Sequence, residues 1–191
     1  MILCLDLGTV TGWALGDQSM TQSGRIEFKP RAKSYAEDGT RYLAFRAWLQ
    51  NFKTRQGLAG AGLGPSGHNA ITAVYYERVS FVSTLLQIQC WAGLRAILLA
   101  FCEQHQIRCE GVPVGTIKKS ATGKGNAEKK HMKAWAVQNG YSPADDNEAD
   151  ALAILSWARK RNFGAFDPGT ELALGEPVAA TGSHPAQGNP F

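Results

Sequence analysis

The amino-acid sequence predicts an α/β protein in which helices pack on the faces of one sheet. Three observations lead to this prediction: three short strand-like segments open the chain, helices and strands then alternate, and the composition is that of a globular domain. Of the 191 residues, 44% are hydrophobic and 19% are charged, which suits one domain with a buried core. An antiparallel meander followed by alternating helices and strands is typical of such a sheet.

The first 69 residues contain three predicted strands, one predicted helix and a loop. Residues 2–7 and 11–15 form a hydrophobic hairpin around the turn at Gly8, and residues 21–28 supply a third antiparallel strand. Apolar side chains recur at helical spacing over residues 41–53. We interpret the glycine-rich residues 56–69 as a surface loop, and they lack the Gly-Lys-Ser/Thr ending of a phosphate-binding loop.

The remaining segments alternate between strand and helix. We predict strands at residues 70–79 and 108–112, and helices at residues 84–106, 128–139 and 148–161. After Phe163 the sequence is rich in Gly, Pro, Ala and Thr and loses all periodicity. We therefore expect one domain over residues 1–162 and a poorly ordered tail over residues 163–191.

Several features predict a cytoplasmic protein. The four cysteines contain no CxxC pair and lie in apolar or helical segments, as reduced core thiols do. We expect no signal peptide, because no basic region followed by an apolar one opens the chain. The apolar residues 91–102 are interrupted by Arg95 and are too short to span a bilayer, so we expect no membrane partner.

Three acidic residues stand in segments that otherwise have the pattern of core. Asp6 interrupts an apolar strand, Glu77 stands near the end of the strand AITAVYYERV, and Asp150 adjoins the apolar run ALAIL. A buried carboxylate is costly unless it is neutralised or binds a cation. Simpler alternatives exist for two of them: Asp6 could cap the turn at Gly8 or pair with a lysine, and Glu77 could be an exposed charge.

Taken together, the three acids predict a metal site. Carboxylate oxygens suit Mg²⁺ or Mn²⁺, and the His/Cys spacing of zinc sites is absent from the sequence. Two such ions about 4 Å apart can activate a water and stabilise the leaving oxygen of a phosphodiester. We expect Asp6, Glu77 and Asp150 to bind two Mg²⁺ ions, which Mn²⁺ can replace.

More polar residues mark the start of the last helix. Asp146 and Asn147 precede Asp150 by four and three residues, so each lies on one helical face with it. Asp145 or Asp146 could instead cap the helix. Glu148 suits the helix N-terminus, where the macrodipole favours an acid.

A lysine-rich stretch predicts contact with nucleic acid. Residues 115–133 contain one acid and six lysines, and the net charge of the whole chain is +4. A solvated helix face is the ordinary alternative. Gly123 and Gly125, on either side of Lys124, allow close backbone approach, however, which favours a surface that contacts phosphates. The lysines are Lys118, Lys119, Lys124, Lys129, Lys130 and Lys133.

Four motifs, in order, resemble the RuvC family of Holliday-junction resolvases in the ribonuclease H-like superfamily. They are LCLDLGTVTGWAL, VYYERV, IKKSATGKGNAEKKHM and EADALAI, and they span about residues 2 to 160. The resemblance implies a five-stranded mixed sheet flanked by helices. It also implies a homodimer formed through the helix at residues 84–100. The implied activity is Mg²⁺-dependent paired nicking of four-way DNA junctions, with other branched DNA as a further candidate substrate.

The resemblance also assigns residues. Asp6, Glu77 and Asp150 match catalytic, metal-binding acids of the family, and Lys118 and Lys129 match lysines near the active site and DNA. The expected DNA-binding set is Lys118, Lys119, Lys124, Lys129, Lys130 and Phe81, the last corresponding, one residue late, to an aromatic side chain that wedges into the junction.

The sequence departs from the family pattern in ways that leave questions open. The fourth metal-site residue of the family stands three positions before the last Asp, where this chain has Asn147. We choose Asp146 as the fourth catalytic and metal-binding residue instead. The loop at residues 56–69 resembles an insertion, and the divergent chain resembles phage-type members.

Three other functions remain open at this stage. DLGTVTG also resembles the phosphate-binding hairpin of sugar-kinase and actin-like ATPase domains, which need a second such hairpin that this chain lacks. A RuvC-like group that acts on RNA has shorter chains. A DNA-binding protein with this fold but without cleavage is the last alternative, and Asn147 favours it.

Overall fold

The computed structural model of the chain describes residues 1–31, 35–36, 38–58, 70–79 and 84–164, with the backbone alone over 52–58. Three predictions fall outside these residues: most of the predicted loop (59–69), Phe81, and the tail from residue 165 onward.

One mixed sheet of five strands forms the centre of the fold, in the order β3-β2-β1-β4-β5. The first three strands pair antiparallel, whereas β1–β4 and β4–β5 pair parallel. This topology confirms the sheet expected from the sequence. The strands are β1 (Ile2–Asp6), β2 (Val10–Gly16), β3 (Thr21–Glu27), β4 (Ala73–Arg78) and β5 (Arg108–Pro113).

Within the described ranges, five helices flank this sheet, one more than the sequence predicted. The unpredicted helix, α3, covers part of the lysine-rich stretch; it is only nine residues long, and Ile117 is its one buried side chain. The helix α1 runs on through residues 56–58, so the predicted loop at residues 56–69 begins too early. The helices are α1 (Gly39–Leu58), α2 (Leu85–Gln104), α3 (Val114–Thr122), α4 (Lys129–Gln138) and α5 (Asp146–Phe163).

Alternation along the strands divides the core into two halves. Leu3 and Leu5 of β1 and Tyr76 of β4 pack with side chains of α1 and α2 on one face. Cys4 and Tyr75 point to the other face and pack with α3, α4 and α5. Since successive strand residues point to opposite faces, every second residue after Cys4 and Tyr75 also faces α5.

The helix α5 approaches the sheet most closely at Gly12 of β2, which pairs with Asp6 across the hairpin. A Cβ atom at this position would lie 1.9 Å from the backbone oxygen of Asn147 and 2.9 Å from the backbone nitrogen of Glu148. Only glycine allows the first turn of α5 to rest directly on β2.

Polar contacts hold both ends of α5 to the β2–β3 hairpin. At its start, the Ser23 hydroxyl donates a 2.7 Å hydrogen bond to the buried carboxylate of Glu148. That carboxylate also accepts from the Ala144 backbone N–H at 2.9 Å. Toward its end, Arg159 donates to the Asp17 carbonyl and, at 2.8 Å, to the Thr21 hydroxyl. The helix is therefore fixed in rotation as well as in distance from the sheet.

The helix α2 carries apolar surface that the sheet does not cover. The most apolar 18-residue window of this helix has a mean hydropathy of 1.6, and 28% of that window is buried. By length and composition alone it is long and apolar enough to cross a membrane, contrary to our estimate from residues 91–102. Leu94 and Leu98 are buried in the core, whereas Leu85 and Leu86 are 69% and 75% exposed.

We predict that Gly12→Ala destabilises the fold, because the new methyl group must push α5 away from β2. Overpacking of this kind costs about 1–3 kcal/mol or more, which lowers the Tm of a domain of this size by roughly 4–10 °C. Thermal and urea unfolding measure the loss. Gly39→Ala is the matched control, since its Cβ would lie at an ordinary 3.5 Å from the nearest atom. Equal Tm values for the two variants would show that the close approach is unimportant.

Candidate active site

Asp6 and Glu77 lie side by side where two neighbouring parallel strands end. Leu5 pairs with Tyr76, so the next residue of each strand is the acid. The side chains of Cys4 and Tyr75 face α5. Asp6 follows Cys4 by two positions, and Glu77 follows Tyr75 by two. Both carboxylates therefore point to the face of the sheet that α5 covers.

Asp150 brings a third carboxylate to this place from α5. It lies between the fully buried Ala149 and Ala151 and is itself partly buried. Burial and then the charge of Asp150 raise the pKa of Glu77 to about 7. Burial also raises the pKa of Asp150 to about 6. The structure thus brings together the three acids that the sequence singled out.

Asp6 is the most deeply buried of the three carboxylates. Burial raises its pKa well above the ordinary value, and the nearby charges of Glu77, Asp150 and Asp145 raise it further, while Lys129 opposes them. Like charges crowded in a poorly hydrated place repel one another, so the ionised form of the cluster is stabilised by any cation that enters it.

Two lysines from the lysine-rich stretch act on these acids. The positive charges of Lys118 and Lys129 both lower the pKa values of Glu77 and Asp150 against the effect of burial. Lys118 is half-buried and follows the core residue Ile117 in α3, while Lys129 is the first residue of α4 and is mostly exposed. Both lysines that the resemblance assigned to the active site therefore lie within electrostatic reach of the acids.

The other lysines form an exposed surface beside the site. Lys119 and Lys124 are exposed, and Lys130 pairs with Glu128 at 2.9 Å. The loop between α3 and α4 begins at Gly123, whose φ of 80° ends α3 in a left-handed conformation that glycine adopts without strain. We call α3, this loop and α4 the lysine surface.

The residues at the start of α5 take different directions. Asp146 contacts the lysines of α4, with its carboxylate oxygens 2.8 Å from Lys133 Nζ and 3.4 Å from Lys129 Nζ. The hydrogen bond from Lys133 lowers the pKa of Asp146. Asn147 donates a long 3.4 Å hydrogen bond to Asp145, and its backbone rests on Gly12.

Sequence reasoning missed the role of Asp145 as an acid near the site. It caps α5 by accepting a 3.0 Å hydrogen bond from the Glu148 backbone N–H, and it pairs with Arg25 at 3.4 Å. Its charge also raises the pKa values of Asp6 and Asp150. The capping pattern was visible in the sequence, but the partner on β3 was not.

The donor set of the site fits a hard divalent cation. Asp6, Glu77 and Asp150 offer only carboxylate oxygens, which are the ligands that Mg²⁺ and Mn²⁺ prefer. Their mutual repulsion is the kind that a bound cation relieves. In the described part of the chain, however, no three His, Cys, Asp or Glu side chains are arranged closely enough to hold a metal ion.

Comparison with solved structures identifies the fold. The chain is similar to RuvC from Thermus thermophilus, once in complex with a Holliday junction substrate and once in a separate RuvC structure. Both matches have a TM-score of 0.59 and 16% identity; they cover 84% and 85% of this chain and 95% and 96% of those chains. No protein-family model and no curated protein matches the sequence. The likeness confirms the predicted RuvC, ribonuclease H-like fold.

We predict an unusual pH dependence for the protein without divalent ions. Folding raises the pKa of Glu77 from 4.5 to about 7 and that of Asp150 from 3.8 to about 6. Between about pH 4 and pH 7 the folded state therefore holds protons that the unfolded state has released. The stability that these protonated carboxyls contribute is fully present below about pH 4, and it is lost as the pH rises through 6 and 7. The free energy of unfolding, measured with urea in a chelator, should fall between pH 5 and pH 8. Glu77→Gln should flatten this fall and gain up to about 3 kcal/mol at pH 8.

Asp17→Asn is the control for this experiment. Hydrogen bonds from the backbone N–H groups of Met20 and Ser19 lower the pKa of Asp17, so its charge stabilises the fold at high pH and its removal should destabilise the protein there. A Glu77→Gln variant that is less stable than the wild type at pH 8 would contradict the prediction.

Proposed function

We propose that this chain is a divalent-metal-dependent endonuclease that cuts four-way DNA junctions, and other branched DNA, by paired nicks. The observation that carries the proposal is the meeting of three partly buried carboxylates, from β1, β4 and α5, beside the lysine surface. Such an arrangement suits the hydrolysis of a phosphodiester in a polyanion. The similar RuvC structure in complex with a Holliday junction supports branched DNA as the substrate class.

The three acids are the residues proposed to hold the cations. Asp6, Glu77 and Asp150 would bind two Mg²⁺ ions, or Mn²⁺ in their place, and the sequence-based choice of Asp146 as a fourth ligand stays a prediction. Bound Mg²⁺ supplies positive charge to the phosphate oxygens and favours ionisation of the attacking water. The mutual repulsion of the carboxylates favours a cation over a neutral ligand at this position.

The lysines have two proposed roles, according to where they lie. Lys118 and Lys129, whose charges reach the acids, offset the negative charge that develops on the phosphate in the transition state. Lys119, Lys124 and Lys130 are exposed farther along the lysine surface and contact backbone phosphates. Contacts of the second kind fix the position of DNA without reading its sequence.

A second copy of the chain is the proposed partner of α2. Paired nicks need two sets of acids, and each chain carries one set near β1 and β4. Leu85, Leu86 and Ile88 are exposed at the start of α2, and an apolar patch on a folded domain marks an interaction surface. A homodimer through α2 would cover this patch and supply both sites.

Junction binding without cleavage is the competing function. It is favoured by Asn147, which carries no charge where the family pattern has an acid or a histidine, and by the open arrangement of the acids within the described residues. The two functions share the lysine surface and differ only in whether the acids act.

We predict that the protein nicks a synthetic four-way junction in Mg²⁺ and leaves a linear duplex of the same arms intact. Asp6→Asn should lower the rate by about a hundredfold or more, because the charge that binds cations is reduced, while junction binding in a chelator persists. Asp17→Asn, which removes an exposed aspartate, is the control and should cut as the wild type does. Denaturing gels of end-labelled strands measure the nicks.

The outcomes of this assay separate the functions. Junction binding with no cleavage in Mg²⁺ or Mn²⁺ would favour the binding protein, and ATP hydrolysis without DNA would favour the actin-like ATPase. Equal cleavage by the wild type and Asp6→Asn would show that the acids are not the active site.

We predict that Leu86→Glu converts the proposed dimer into a monomer, because it places a charge in the apolar patch of α2. Sedimentation velocity measures the change in mass. Val137→Glu, which alters an exposed apolar side chain on α4 (63% exposed), is the control and should leave the mass unchanged. A wild-type protein that sediments as a monomer at high concentration would remove the basis for the homodimer.

A further inference from the structure

Asp146 holds two lysines of α4 by ion pairs. Its Oδ1 atom lies 2.8 Å from Lys133 Nζ and its Oδ2 atom lies 3.4 Å from Lys129 Nζ. Both oxygens of the carboxylate are thus directed to ammonium groups on the neighbouring helix. A carboxylate between two lysines has the same sign of charge and the same kind of acceptor oxygens as a phosphate placed there.

The exposure of these side chains makes the contact easy to exchange. Asp146 is 32% exposed, Lys133 48% and Lys129 75%. Ion pairs in such surroundings contribute little to stability, and the closely spaced phosphates of DNA attract lysines more strongly than one carboxylate can. The pairs can therefore open without disturbing the fold.

The fold does not need Asp146 to anchor α5. Asp145 already caps the helix through the Glu148 backbone N–H at 3.0 Å, and Glu148 ties the first turn to Ser23 at 2.7 Å. Gly12 sets the distance from the sheet. The contacts of Asp146 are directed instead to the side chains of the lysine surface.

We propose that Asp146 occupies Lys129 and Lys133 as an internal substitute for a DNA phosphate, and that backbone phosphates displace it when DNA binds. This inference rests on the proposed function, since it takes DNA as the ligand. Asp146 is then a positioning residue: it holds the two ammonium groups ready beside the acids and lowers the affinity of the lysine surface for DNA of any sequence.

The test compares DNA binding by Asp146→Asn and the wild type in a chelator, by fluorescence anisotropy on a four-way junction and on a linear duplex. Removing the substitute should tighten binding to both DNAs by about fivefold to tenfold near 0.1 M salt and steepen the salt dependence by about one phosphate contact. Asp146→Ser should give the same gain, and thermal unfolding shows that both variants are folded.

Glu110→Gln is the matched control, because Glu110 also holds two cations, Arg161 at 3.0 Å and Arg108 at 3.8 Å, and is 36% exposed. It changes the net charge of the protein by the same amount but at a place outside the lysine surface. Its effect on DNA affinity should be under about twofold. In a Lys133→Gln background, the gain from Asp146→Asn should shrink.

A calorimetric titration with Mn²⁺ separates the two roles open to Asp146. Unchanged Mn²⁺ affinity in Asp146→Asn supports the internal substitute, and a loss of Mn²⁺ binding with no gain in DNA affinity supports a metal ligand and overturns the proposal. The proposal is also overturned if Asp146→Asn gains no more DNA affinity than Glu110→Gln does. Tight DNA binding by the wild type without cleavage would defeat the proposed nuclease and leave this inference standing, whereas no DNA binding by either protein would defeat both.

Discussion

The contact between Gly12 and the first turn of α5 determines the geometry of the rest of the site. Gly12 pairs with Asp6, and the backbone of Asn147 lies where a side chain at position 12 would be. Because Asp150 follows Asn147 by one helical turn, this contact brings its carboxylate to the ends of β1 and β4. A longer distance between α5 and β2 would separate the acid of the helix from the two acids of the sheet.

The closeness of the acids is costly, and the surrounding structure offsets the cost only in part. Burial and mutual repulsion raise the pKa values of Asp6, Glu77 and Asp150, so each ionised carboxylate opposes folding at neutral pH. Lys118 and Lys129 reduce this effect without forming a close ion pair with any of the three, as far as the described residues show. Stability given up at one place in an otherwise well-packed domain is the usual mark of a functional site.

Local patterns in the sequence predicted the strands and marked the three acids, because each signal depends on residues close together in the chain, whereas the five-stranded mixed sheet was expected from the resemblance of four motifs. An acid inside an apolar strand is visible wherever that strand lies. The helix α3 was missed, since it has only nine residues and buries a single side chain, Ile117. The partners of Asp145 and Asp146 were also missed: both residues suit a helix start, and only the packing of α5 against β3 and α4 shows that one contacts Arg25 and the other contacts Lys133.

The two halves of the core also separate the two proposed interaction surfaces. The helix α2 packs on the face of the sheet that Leu5 and Tyr76 occupy, whereas the acids and the lysine surface belong to the face covered by α3, α4 and α5. A partner that covers Leu85 and Leu86 therefore leaves Asp6, Glu77 and Asp150 open to DNA. Two chains joined through α2 would each keep their acids on the face of the sheet that the other chain does not cover.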